Sequence, residues 1–101
     1  RNAKKDFLNK VAGRELSLEK IHAAAIDYLN TRFLLKGGVL TSDEIHALLI
    51  DKGLSSNTAS IFKKSISSIE SIIFTGAKRD NTDSIRDELI MAIKSVEREA
   101  K

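Results

Sequence analysis

Two histidines are the side chains with the clearest potential for acid–base or metal chemistry. His22 and His46 each have acidic neighbours along the chain, but neither belongs to an HExxH sequence or an EF-hand loop. The adjacent carboxylates of Asp43 and Glu44 do not face one another on a helix, and both suit the positive end of a helix dipole. We therefore expect helix histidines exposed to solvent, and no acid–base pair.

The remaining nucleophile and phosphate-binding patterns are also missing from the sequence. The chain contains no cysteine, which excludes a disulfide framework, a thiolate metal site and a cysteine nucleophile. Its serines lack a GxSxG elbow. Gly37-Gly38 follows a lysine and is not continued by the GK[ST] of a phosphate-binding loop. The sequence thus predicts a protein that is not an enzyme and has no metal or cofactor.

Composition fits one folded domain. The 101 residues are 42% hydrophobic and 31% charged, which is ordinary for a folded chain. A net charge of +3 is a mild basic excess, because acids are spread through the same segments. No apolar run is long enough to cross a bilayer, and no signal-peptide pattern occurs.

The region 40–73 carries the strongest helix start and stop signals. Thr41 and Glu44 have the spacing of a capping box, and Gly53 can end the first helix after Lys52 by adopting a left-handed conformation. A second helix begins at Ser55 or Ser56. Its apolar stripe, widened by Ile61 and Ile72, consists of Ala59, Phe62, Ile66, Ile69 and Ile73.

Two further helices flank this hairpin. One begins after Ser17 and is predicted to run to about Lys36, with Phe33, Leu34 and Leu35 continuing its apolar face before the Gly37-Gly38 corner. The other begins near Asn81 or Thr82, and its stripe consists of Ile85, Leu89, Ala92, Ile93 and Val96. Strand-like alternation is absent. We predict an all-α fold, a small bundle of about four main helices.

Residues 1–16 form a basic leader ahead of the bundle domain, which covers residues 17–101. Phe7, Leu8 and Val11 can share one helical face, so the leader can add a short helix. Its basic residues suit the cytosolic flank of a membrane span, but the sequence alone favours a frayed, solvated leader. Because the sequence begins at Arg1, we expect a fragment of a longer or processed chain.

Two binding functions are open to such a bundle. Lys63-Lys64 and Lys78-Arg79 can form a basic docking patch for an acidic protein surface. The alternative is a helix-turn-helix DNA-binding domain, with bases read by Asn57, Ser60, Lys63 and Lys64. Against this alternative, Gly53 lies six positions after Ala47, whereas the usual motif has about four.

Four segments resemble a known family. They are AAIDYLNTRF, VLTSDEIHALLIDKGLS, IESIIFTGA and AIKSVERE, which together cover roughly residues 20–98. The pattern resembles the C-terminal cytoplasmic domain of BatD-type aerotolerance (oxygen-tolerance) membrane proteins. Members often have an arginine before the aromatic residue and a proline soon after it, where this chain has Ile73 and Thr75-Gly76-Ala77.

The resemblance implies a bacterial, membrane-anchored parent with this domain on the cytoplasmic side of the inner membrane. It implies a scaffold or docking role, with von Willebrand factor A-type membrane proteins or a MoxR-type ATPase as partners. The corner from Glu70 to Phe74 is among the segments that carry the resemblance, and it joins the basic positions as a candidate partner-binding site.

Overall fold

The described part of the chain is entirely helical outside its turns. A computed structural model describes residues 2–13, 16–36, 40–77 and 81–100. Within these ranges there is no strand, and five helices follow one another: α1 (Ala3–Lys10), α2 (Leu18–Arg32), α3 (Ser42–Asp51), α4 (Ser56–Thr75) and α5 (Thr82–Glu99). The predicted all-α bundle of four main helices with a short leading helix is confirmed.

Helix α4 is the centre of the bundle. It packs against α2, α3 and α5, while α1 packs against α2 and α5. On the apolar side predicted for this helix, Ala59, Phe62, Ile66 and Ile69 are fully buried, and Ile73 is partly buried. The predicted α5 stripe is buried along its whole length. One apolar core therefore joins all five helices.

Both ends of α3 form as the local rules predict. The Thr41 hydroxyl accepts from the Glu44 backbone N–H at 3.1 Å, and the Glu44 carboxylate accepts from the Thr41 backbone N–H at 3.0 Å. At the other end, Gly53 has φ +84°, and the Leu54 N–H donates to the Leu49 carbonyl at 3.1 Å. These are a capping box and a Schellman ending, which together fix the two ends of α3.

Helix α2 ends earlier than predicted. Its last residue is Arg32 rather than Lys36, because Leu34 adopts a left-handed conformation with φ +55°. The Leu35 N–H donates to the Asn30 carbonyl at 2.9 Å, so a Schellman ending forms without glycine. Leu34 consequently points away from the core and is 90% exposed. The predicted Gly37-Gly38 corner lies outside the described residues.

The apolar residues of the leader belong to the core. Phe7 and Val11 are buried, and the Phe7 ring meets the Tyr28 ring edge-on with 6.2 Å between the centroids. The Lys10 ammonium lies 2.6 Å from the Asp27 carboxylate. Helix α1 is thus packed onto α2. The basic residues Arg1 and Arg14 lie outside the described residues.

None of the helices in the described ranges combines the length and the apolarity that crossing a bilayer requires.

Candidate functional site

The outer surface of α4 carries most of the predicted partner-binding residues. Lys63, Glu70 and Phe74, together with Ser67, are spaced by four, three and four positions, which places them along one side of the helix. We call this row the α4 stripe. Phe74 and Ser67 are exposed, while Lys63 and Glu70 are partly buried.

Lys63 is held by the neighbouring helix. Its ammonium lies 2.9 Å from the Asp43 carboxylate, in the first turn of α3. The Lys63 hydrogen bond, helped by its charge, lowers the pKa of Asp43. The positive charge that Lys63 offers to a partner is therefore largely neutralised within the chain.

Lys64 faces a different direction from Lys63. One step along a helix turns the side chain by about 100°, so Lys64 lies toward α5, where it borders a cavity together with Glu88. Lys64 forms no ion pair with any described residue. The two adjacent lysines both line one cavity beside α4, and only Lys64 also lines a second cavity toward α5. Lys78 and Arg79, the other half of the predicted basic patch, lie outside the described residues.

Phe74 is the most exposed large apolar side chain among the described residues. It is 92% exposed and lies in the last turn of α4. The backbone around it is well fixed, because the Thr75 hydroxyl donates to the Ser71 carbonyl at 2.7 Å and the Gly76 N–H donates to the Ile72 carbonyl at 3.0 Å. An aromatic ring is therefore presented to solvent from an ordered helix end.

A shallow polar groove of about 700 Å³ runs beside the α4 stripe, between α3, α4 and α5. Serines dominate its lining, and their small side chains give the groove its depth. The groove is lined by His46, Ser60, Lys63, Lys64, Ser67, Ser68, Ser71, Ile72, Asn81, Ser84, Ile85 and Glu88. Five of its twelve lining residues are serines, and its charged lining residues are Lys63, Lys64 and Glu88.

The histidines do not converge with other chemistry in the described residues. His46 borders the groove, whereas His22 lies on α2 with a buried Nε2 atom that has no hydrogen-bond partner. Both side chains are partly buried, so the expectation of exposed histidines was wrong. Within the described ranges, no three histidine or acidic side chains cluster as metal ligands would.

A partly buried polar network connects α2 to α5, and the sequence gives no sign of it. The Tyr28 hydroxyl donates to the Glu97 carboxylate at 2.6 Å, and the same oxygen accepts from Arg32 Nε at 2.7 Å. Burial, reinforced by the Glu97 hydrogen bond, raises the pKa of Tyr28. The helical period of α2 places Tyr28 on the apolar face, which is correct for its ring. Nothing local marks its hydroxyl partner, which lies 69 positions away.

Glu99 caps α4 from the end of α5. Its carboxylate accepts from the Ser55 backbone N–H at 2.7 Å, from the Ser55 hydroxyl at 3.1 Å and from the Thr58 hydroxyl. These hydrogen bonds, led by that from Thr58, lower the pKa of Glu99. A negative charge therefore sits at the positive end of the central helix.

The Glu99 cap predicts a pH-dependent stability. The pKa of Glu99 in the folded chain lies below its ordinary value of 4.5. The stabilisation of the fold by the Glu99 carboxylate is therefore complete above pH 4.5 and is lost as the pH falls further. We expect Glu99→Gln to lower the urea midpoint at pH 7 and to differ less from wild type near pH 3. Glu70→Gln, at a carboxylate with no partner among the described residues, is the control and should match wild type. If the urea midpoints of wild type and Glu99→Gln differed by the same amount at both pH values, the capping role would be contradicted.

Comparison with models of known protein families, with curated proteins and with solved structures finds no match to this chain. A functional proposal therefore depends on the geometry of the described residues and on the chemistry of their side chains.

Proposed function

We propose that the chain is a non-enzymatic docking domain that binds a protein partner through the α4 stripe. The single observation that carries this proposal is Phe74, a ring 92% exposed on a hydrogen-bonded helix end. Leaving a phenylalanine in water forgoes the free energy of burying it, and aromatic anchors of this kind dominate protein interfaces. A partner pocket that receives the ring would recover that free energy.

The rest of the stripe supports a polar rim around this anchor. Glu70 lies one helical turn before Phe74, and the Lys63–Asp43 ion pair lies two turns further back. Such partly exposed charges contribute more to orientation and association rate than to affinity. Lys64, Lys78 and Arg79 are proposed to add the basic part of the docking surface.

The resemblance to BatD-type proteins supports a location and a class of partner. In that context the domain is the cytoplasmic tail of a membrane-anchored aerotolerance protein. The basic residues Lys4 and Lys5 on α1 would then lie near the anionic inner leaflet. The proposed partners are von Willebrand factor A-type membrane proteins or a MoxR-type ATPase, and the proposed role is a scaffold.

A binding measurement with one matched pair of variants tests the proposal. The cytosolic parts of the two proposed partners, from the same organism, are titrated calorimetrically with the chain and with Phe74→Ala. We expect Phe74→Ala to weaken binding at least about 30-fold, as for an interface hot spot. Leu34→Ala removes an equally exposed apolar side chain at another site and should leave affinity unchanged. Equal effects, or no binding to either partner, would refute the proposal.

Duplex DNA is the competing ligand. Asn57, Ser60 and Lys64 are exposed as a reading helix requires, but Lys63 is paired with Asp43. We expect no salt-sensitive DNA binding at physiological ionic strength. Specific binding that falls steeply with salt and is lost in Lys63→Ala and Lys64→Ala would replace the docking proposal with the helix-turn-helix alternative.

A further inference from the structure

A second surface, on the opposite side of Lys64 from the α4 stripe, is formed by α4 and α5 together. Ile61 was predicted to widen the buried stripe, and this was wrong: the side chain is 41% exposed. It borders a cavity of about 290 Å³ with Met91, which is 69% exposed. Lys64 and Glu88 line the same cavity. We call these four residues the α4/α5 face.

We propose that a second copy of this chain covers the α4/α5 face, in a dimer whose two-fold axis runs along the groove between α4 and α5. This inference does not depend on the proposed Phe74 anchor, because Phe74 and Glu70 lie outside the α4/α5 face; Lys64 is the residue that the two proposed surfaces share. It assigns the exposed apolar pair Ile61 and Met91 to an interface between copies.

The charges of the face are self-complementary for this axis. Lys64 lies on α4 and Glu88 on α5, on the two sides of the groove, and neither has an ion-pair partner among the described residues. Rotation by 180° about the groove places α4 of one copy over α5 of the other. Each Lys64 then meets Glu88 of the partner subunit, so one contact occurs twice, as a two-fold interface requires.

The apolar side chains follow the same rotation. Ile61 of one copy is brought over Met91 of the partner subunit, and the reverse pair forms beside it. Ile61 lies three positions before Lys64, and Met91 lies three positions after Glu88 on the antiparallel α5. The four apolar side chains therefore form one layer of the interface, directly beside the layer of the two ion pairs. A foreign partner would have to offer the same pattern of acid, base and apolar residues that the chain itself already carries.

The helix directions also suit this arrangement. Ile61, near the start of α4, borders the same cavity as Ser95, near the end of α5, so the two helices run antiparallel. The rotation keeps helix direction along the axis, so every neighbour across the interface is antiparallel as well. The dimer centre is thus a four-helix arrangement of alternating direction.

The area of the α4/α5 face sets the expected affinity of one copy for another. Helices of 20 and 18 residues present a face roughly 30 Å long and about 20 Å wide, or about 600 Å² on each copy. Twice this area is the low end for a specific interface. We expect a dissociation constant of about 10–100 µM, so that dimers are populated only in concentrated samples.

Charge reversal in separate samples tests the proposal directly. Sedimentation equilibrium of wild type from about 5 µM to about 1 mM should show a monomer–dimer equilibrium. Lys64→Glu alone and Glu88→Lys alone should each weaken self-association at least about 10-fold. An equimolar mixture of these two variants should restore a dimer of nearly wild-type strength, because every cross-interface pair is again of opposite charge.

Two further variants and a check of folding accompany the charge-reversal measurements. Lys94→Glu, an exposed reversal on α5 that borders neither cavity, should dimerise like wild type, and Met91→Lys should be monomeric. Circular dichroism melting checks that each variant is folded. A wild type that stays monomeric at about 1 mM, assemblies larger than a dimer, or a mixture no stronger than its parent variants would each overturn the proposal.

Discussion

Phe62→Ala is expected to lower the free energy of unfolding by about 3–5 kcal/mol. Phe62 is fully buried in α4, the helix that packs against α2, α3 and α5. Truncation removes most of the ring's transfer free energy and leaves a cavity that the surrounding core closes only in part. A domain of this size has only about 5–15 kcal/mol in total, so the variant should be close to unfolding at physiological temperature.

Urea denaturation of Phe62→Ala and Phe74→Ala measures the effect against a matched control. Both variants remove the same ring from the same helix, but Phe74 is 92% exposed. Phe74→Ala should therefore change the free energy of unfolding by no more than about 0.5 kcal/mol. Similar losses for the two variants would mean that α4 does not pack through the face that contains Phe62.

Glu97→Ala is expected to cost the second largest amount, about 2–3 kcal/mol. One carboxylate oxygen accepts from both the Tyr28 hydroxyl and Arg32 Nε, and it links α2 to the last turns of α5. Removing it leaves the buried Tyr28 hydroxyl without its acceptor and the partly buried Arg32 guanidinium with only the Ala100 carbonyl, at 3.4 Å. The loss arises mainly from these unpaired groups, since the glutamate itself contributes little apolar packing.

Two companion variants separate the parts of this network. Tyr28→Phe leaves the Arg32–Glu97 pair in place and should cost only about 1 kcal/mol. Glu97→Gln retains a hydrogen-bond acceptor without the charge and should fall between wild type and Glu97→Ala. If Glu97→Ala were as stable as wild type in thermal and urea denaturation, the network would contribute nothing to the stability of the fold.

Local chemistry explains why much of the fold could be predicted. The capping box at Thr41, the left-handed Gly53 and the buried stripe of α4 depend on residues within one or two turns, and all were predicted correctly. The end of α2 was not, since Leu34 takes a conformation that favours glycine. Because leucine rarely adopts this conformation, its presence in the sequence does not predict a Schellman ending.

The exposure of Ile61 and the contacts between residues distant in sequence were not predicted, for a different reason. Ile61 satisfies the helical period of the core, but the neighbouring α5 covers only part of it, and sequence spacing cannot show where a helix–helix contact stops. Asp43 and Lys63 are 20 positions apart, and Ser55 and Glu99 are 44 apart. Such pairs depend on tertiary packing, which leaves no periodic pattern in the chain.

The most direct test of the docking function is nuclear magnetic resonance mapping on the ¹⁵N-labelled chain. The labelled chain is titrated with the unlabelled MoxR-type ATPase and, separately, with the cytosolic von Willebrand factor A-type domain. With at least one of them, we expect the shifted amides to cluster around Ser67, Glu70 and Phe74. The backbone of α1 should be unaffected. Shifts confined to other helices, or none with either protein, would contradict docking through the α4 stripe.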